Sequence, residues 1–272
     1  MKNLILWTGI LLWVCVSGQT VCAGDTITEV RIRGVLVAGV KDTTPGFGFY
    51  DKKTREIVGY DVDFCRYIAK KLGVRLALSP VTSANRVPEL LAGNIDIIAA
   101  TMTKNDGQAN RIVFSHSYFM AGQKFMAFKG NIRKMADLES KVIATIAGST
   151  YEQNTKKVLR KATVLIFDDY LQAFMALQKG KVAAVTADES ILVALLATAP
   201  DRYRFEISSF RVSDDPYGLG IRNGNPEFLR FVNSTLLEME QNGEAKRIFN
   251  KWFGPKHEIS MNRGTFKITA GR

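Results

Sequence analysis

Cysteine is scarce: of three in 272 residues, Cys15 and Cys22 fall at the extreme N-terminus, and Cys65 stands alone in the body of the chain. That excludes an internal disulfide framework. Cys65 lies in an amphipathic stretch and reads as a buried structural thiol. Only two histidines, His116 and His257, are present, which leaves little material for a histidine metal site or a Ser-His-Asp triad. No run of Lys or Arg exceeds three residues, so the net charge of +11 does not come from a nucleic-acid tail, and no nucleic-acid partner is expected. P-loop, dinucleotide and metal motifs are missing, and no cofactor is expected. What remains, 46% apolar and 23% charged residues, is a composition that builds a globular core and excludes a disordered chain.

At the N-terminus, Lys2 precedes an apolar run over 4–16, a polar stretch Ser17-Gly18-Gln19-Thr20 and then Val21-Cys22-Ala23. This is the order of a secretory signal with cleavage after Ala23, giving residues 1–23 as a signal peptide and a periplasmic location. The run is too short to cross about 30 Å of hydrocarbon. A lipid anchor would favour Gly or Ala before its cysteine, whereas Val14 precedes Cys15 and Val21 precedes Cys22.

Short β-branched runs then alternate with helical patterns. Strands are predicted over 35–40, 74–78, 96–101, 124–128, 141–146, 163–167, 182–186 and 217–221. Helices are predicted over 61–72, capped by Asp61 and stopped by Gly73, and over 85–91, 151–160, 169–178, 189–196, 226–241 and 244–253. Such alternation predicts the α/β class with parallel sheets. One unit occurs twice. Glu89-Leu90-Leu91-Ala92-Gly93-Asn94-Ile95-Asp96-Ile97-Ile98 is a helix end, a glycine stop and a strand, and Ala176-Leu177-Gln178-Lys179-Gly180-Lys181-Val182-Ala183-Ala184-Val185 repeats the plan. Two similar lobes follow. Ligands of open α/β sheets sit beyond the carboxyl ends of strands, so Thr101, Thr103 and Asp188 are candidates for a shared cleft.

In order along the chain stand Gly59-Tyr60-Asp61-Val62-Asp63, Ser83-Ala84-Asn85-Arg86-Val87-Pro88, Phe114-Ser115 with Tyr118-Phe119 and Gly122-Gln123, Ala147-Gly148-Ser149-Thr150-Tyr151, and Pro216-Tyr217-Gly218-Leu219-Gly220-Ile221. With this series the chain resembles the periplasmic solute-binding proteins of amino-acid ABC importers, bacterial solute-binding protein family 3. The second motif and the tail Trp252-Phe253-Gly254-Pro255 leading to Met261-Asn262 are most similar to the glutamate/aspartate-binding branch. The resemblance implies a two-lobed periplasmic-binding-protein fold of type II with two hinge strands. Lobe one would be 24–117 plus 218–272, lobe two 123–212, and the hinges 118–122 and 213–217. The partners it implies are a small amino-acid ligand and a membrane permease, and the protein is expected to be a monomer.

The resemblance also supplies roles. Asp188 would hold the ligand's ammonium, since a buried cation needs a partner. Ser149 and Thr150, just before a helix whose first N–H groups are free, would receive a carboxylate. Thr101 and Thr103 would complete both sites from lobe one. Lys41 would take the side-chain carboxylate of an acidic ligand, and one of Phe47, Phe49 and Tyr50, with Phe49 the candidate, would wall the pocket. One departure stands out. Six residues before Phe114-Ser115 the family has a carboxylate-gripping arginine, where this chain has Gln108; Arg111 is the nearest replacement.

The predicted function is therefore a non-enzymatic binding protein that delivers a polar, acidic amino acid to an ABC importer. An enzyme of the cyclohexadienyl dehydratase type on the same scaffold is the alternative, with Glu152 and Glu189 as candidate acids. A sensory or orphan binder is another.

Overall fold

A computed structural model describes residues 26–105, 111–256 and 260–270. In chain order the elements are α1 (Thr26–Arg33), β1 (Val35–Val40), β2 (Thr43–Thr44), β3 (Gly48–Asp51), β4 (Glu56–Val58), α2 (Tyr60–Leu72), β5 (Arg75–Pro80), α3 (Arg86–Leu91) and β6 (Ile97–Ala99). There follow β7 (Ile112–Ala121), β8 (Gln123–Phe128), β9 (Val142–Ile146), α4 (Tyr151–Val158), β10 (Thr163–Phe167), α5 (Tyr170–Gln178), β11 (Ala184–Asp188) and α6 (Glu189–Thr198). The chain ends with β12 (Phe205–Ile207), β13 (Asp215–Arg222), α7 (Pro226–Gln241) and α8 (Glu244–Phe253).

Two five-stranded sheets organise the molecule, in the orders β5-β1-β6-β13-β7 and β10-β9-β11-β8-β12. Each is mixed rather than parallel. β1 pairs in parallel with β5 and β6, but β13 runs antiparallel to both β6 and β7. In the second sheet β9 is parallel to β10 and β11, and β8 is antiparallel to β11 and β12. The reason lies in the ten-residue strand β7, which has no helix after it: it passes through Gly122 directly into β8 of the other sheet. With no crossover helix, the strand entering or leaving a sheet pairs antiparallel to its neighbour. The chain returns to the first sheet between β12 and β13, over 208–214. The two crossings touch: a Cβ on Gly122 would lie 2.6 Å from Arg211 Nε and 2.8 Å from the Ser213 carbonyl oxygen.

The core of the first lobe is aromatic. Phe47 packs edge-on to Phe119 with ring centroids 5.0 Å apart and also meets Tyr60, Tyr217 and Phe253. Gly59 opens α2 with a φ of 150°, and any side chain there would collide with the Phe47 carbonyl oxygen. That close approach swings α2 onto the hairpin of β2, β3 and β4. It also moves the helix start one residue earlier than the pattern implies, so Gly59 is the N-cap and Asp61 is no cap at all. Asp61 is fully buried.

Candidate functional site

A cleft of about 420 Å³ separates the lobes. Arg86 forms its first-lobe wall. As the first residue of α3, it sits where the helix dipole disfavours a cation, and it is 7% exposed. Its Nη1 donates to the Ala100 carbonyl at 2.6 Å and, more weakly, to the Thr101 carbonyl at 3.4 Å, while its buried Nε has no partner. Thr101 beside it has a φ of 47°, unusual for a β-branched residue. The Thr101 amide donates to Asp61 Oδ2 at 3.0 Å, and Tyr118 Oη donates to Asp61 Oδ1 at 2.7 Å. Burial raises the Asp61 pKa to about 7, against the pull of those two bonds and of Lys41 and Arg86. Thr103, bridged to Tyr217 on β13, also lines the cleft.

Lys41 follows β1 and is 4% exposed. Its Nζ donates to Ser83 Oγ at 2.8 Å. Burial, reinforced by repulsion from Arg86, pulls its pKa well below the usual lysine value. Ser83 lines the main cleft, whereas Lys41 borders a neighbouring cavity of about 100 Å³ together with Asp169 and Tyr170. Lys41 is thus one side chain removed from the cleft.

The facing wall is the turn into α4. Gly148 is left-handed, with a φ of 72°, and Ser149 Oγ donates back to the Ile146 carbonyl at 2.8 Å. Thr150 is the N-cap but makes no side-chain cap bond, so the first amides of α4 are not closed by it. Ser149, Thr150 and Tyr151 line the cleft. Behind Tyr151 lies Asp188, the last residue of β11 and wholly excluded from solvent. Its Oδ2 accepts from the hydroxyls of Tyr151 and Tyr217. Its Oδ1 accepts no hydrogen bond from a donor, and the buried Asp215 carboxyl stands within hydrogen-bonding reach of Asp188. Burial, and next the charge of Asp215, lift its pKa to about 7. Asp188 stands at the N-cap position of α6 without capping it. Asp188 does not itself line the cleft; two buried carboxyls side by side, screened from it by Tyr151, call for a cation or a proton between them.

Several predicted positions fall elsewhere. Phe49 packs edge-on to Trp252 at 5.8 Å, Phe47 is in the aromatic core and Tyr50 is half exposed, so none of the three lines the cleft. The cause is that β3 and β4 of the hairpin pack on α2, which turns Phe49 onto Trp252 of α8. Arg111 is an exposed turn residue at the start of β7, not a helical one. Its carbonyl accepts from the Asn223 amide, and it does not line the cleft. Gln108 lies outside the described residues. Glu152 pairs with Lys156 on the surface, and Glu189 pairs with Lys124 and Arg211, so both acids point away from the cleft lining. Among the described residues, no group of three His, Cys, Asp or Glu side chains is placed to hold a metal ion.

Arg86, Asp61, Tyr151, Tyr170 and Tyr217 are the residues that the sequence alone did not single out. Arg86 carried a signal: a basic residue opening a helix opposes the dipole and calls for another reason to be there. The tyrosines carried none, because their hydroxyls converge from distant segments.

Comparison with known proteins extends this geometry. Residues 36–255 match the model for bacterial extracellular solute-binding proteins, family 3. The ABC transporter glutamine-binding protein GlnH of Bacillus subtilis (strain 168) is 34% identical over 234 residues, covering 84% of each chain. The glutamate/aspartate import solute-binding protein of Escherichia coli (strain K12) is 28% identical over 255 residues, 88% of this chain and 84% of that one. Among solved structures, an ancestral arginine-binding protein bound to glutamine superposes with a TM-score of 0.77 at 38% identity, covering 82% of this chain and 99% of its own. The chain belongs to the bacterial extracellular solute-binding proteins of family 3, and it has their two-lobed α/β fold.

Proposed function

We propose that this protein captures a polar, acidic amino acid in the periplasm, after export by its N-terminal signal, and hands it to the membrane permease of an ABC importer. The observation that carries this reading is Arg86, a buried guanidinium on the cleft wall with an unpartnered Nε. An acidic amino acid has two carboxylates and one ammonium. The cleft offers two places for anions, Arg86 and the start of α4 at Ser149 and Thr150; the counter-charge for the ammonium is Asp188, buried behind the Tyr151 that lines the cleft and reached when that ring gives way. Arg86 is the buried cation that reaches the first-lobe wall, and its unpartnered Nε favours an anionic group there. Lys41 acts through Ser83 in this reading, and Thr101 and Thr103 complete the wall.

The lobes of the proposal are 24–117 plus 218–272 and 123–212. Closure turns about 118–122 and 213–217, where the two chain crossings pack at Gly122. A thermal-shift screen of the exported protein tests the specificity. Glutamate or aspartate is expected to raise the melting temperature most, since ligand at 100 times its Kd adds about 2.7 kcal/mol of apparent stability. A larger shift with glutamine, arginine or cystine would overturn the acidic assignment while leaving an amino-acid binder. Turnover of prephenate would move the protein to the enzymatic alternative.

A further inference from the structure

We propose that Asp61 is a positioning residue of the cleft: its buried carboxylate holds the Thr101 amide and thereby fixes the backbone turn that seats Arg86. The role rests on reading the cleft as the amino-acid site.

Asp61 occupies the first turn of α2, where an acidic residue normally serves its own helix. Here the two bonds that its oxygens accept come from far along the chain, from the Thr101 amide 40 residues on and from the Tyr118 hydroxyl 57 residues on. A fully buried carboxylate is costly unless its bonds secure something that the fold needs. What they secure is Thr101, held left-handed despite its branched side chain. Left to itself a threonine would relax to the extended or right-handed regions, turning its amide and carbonyl away from their present directions.

Arg86 grips the same segment from the opposite side. Its Nη1 donates to the Ala100 and Thr101 carbonyls, so an anion takes the N–H and a cation takes the C=O groups of one short stretch. With Nη1 committed to backbone, Nε is left without a partner. Asp61 touches no part of the cleft itself, yet it fixes the peptide that orients both Thr101 and Arg86 within it.

The test is a double-mutant cycle in the full exported chain. Glycine adopts a left-handed φ freely, so Thr101→Gly removes the need for Asp61 to enforce it. Calorimetric titration with L-glutamate, L-aspartate and L-glutamine should show Asp61→Ala, which removes both acceptors, weakening binding about tenfold in the otherwise wild-type chain, but less than about twofold in the chain that already carries Thr101→Gly. Equal losses in both backgrounds would overturn the proposal, since a general loss of stability is not rescued at one backbone position. Hydrogen exchange in ligand-free protein supplies a readout independent of the ligand. The Thr101 amide should exchange at least about tenfold faster in Asp61→Ala at similar global protection. Should that variant fail to fold, Tyr118→Phe releases one of the two anchors of Asp61 and should speed the same amide several-fold. An unchanged rate overturns the proposal. If none of the three amino acids binds the wild type, the functional reading fails, and the exchange rates still decide the role of Asp61.

Discussion

Gly148 and Ala84 meet backbone to backbone across the cleft: a Cβ on Gly148 would lie 2.6 Å from both the Cα and the amide nitrogen of Ala84. One residue belongs to the turn before α4 and the other to the turn before α3, so the contact joins the two lobes at the lip of the site. Glycine is required twice over, for the approach and for its φ of 72°.

Gly148→Ala should therefore hold the lobes apart. We expect a folded protein with ligand affinity reduced at least about tenfold, through left-handed strain of about 1–2 kcal/mol and the clash with Ala84. Small-angle scattering with saturating ligand checks this: the wild type should contract and the variant should not.

Asp188→Asn should abolish binding without loss of fold. Removing the counter-charge of a buried ammonium costs about 2–5 kcal/mol, roughly 30-fold or more in affinity. The substitution also removes a carboxyl whose ionisation burial and Asp215 disfavour, so the ligand-free melting temperature at neutral pH should stay level or rise. Calorimetry showing an unchanged Kd would refute the role.

Asp61 and Asp188 set a pH dependence. Both carboxyls have folded pKa values of about 7, far above the unfolded value near 4. The folded state thus holds its protons more tightly, and its stability is greatest below about 4 on this account and declines as pH rises through about 7. The ligand-free melting temperature should fall between pH 5 and 7.5. Affinity for an ammonium-bearing ligand should increase over the same interval, because the Asp188 carboxylate must ionise to receive it. At higher pH Lys41, whose pKa is lowered by burial and by Arg86, contributes in the opposite sense. A melting temperature that climbs from pH 5 to 7.5 would count against both assignments.

The two arginines should separate cleanly. Arg86→Ala leaves the Ala100 carbonyl without its partner and removes the cation from the cleft wall, and affinity should fall at least about 100-fold. Arg111→Ala, at an exposed turn, should change affinity by less than about twofold. A large effect at Arg111 would restore it as the replacement for the family's arginine at Gln108.

Local pattern determined much of this protein. The spans of β1, β10, α7 and α8 follow directly from periodicity and from the glycine, proline and acidic residues at their ends. The repeated helix-glycine-strand unit announced two lobes, and the order of five short motifs announced the family. Mixed pairing in the sheets was not legible, because β7 reads as an irregular polar and aromatic stretch, and its length is stabilised by β13 roughly a hundred residues away. The site divides in the same way. Ser149, Thr150, Thr101 and Thr103, which line the cleft, and Asp188, which lies behind it, could be named as candidates because each lies at or just beyond a strand end or before a helix, which is a local property. The withdrawal of Lys41 behind Ser83, the packing of Phe49 on Trp252 and the binding of Asp61 to Thr101 were decided only when α2 closed on the hairpin and the strand ends came together. Periodicity fixes which face of an element is buried; which charged group ends beside which, and how far its pKa moves, depends on distances between segments that the chain brings together only on folding.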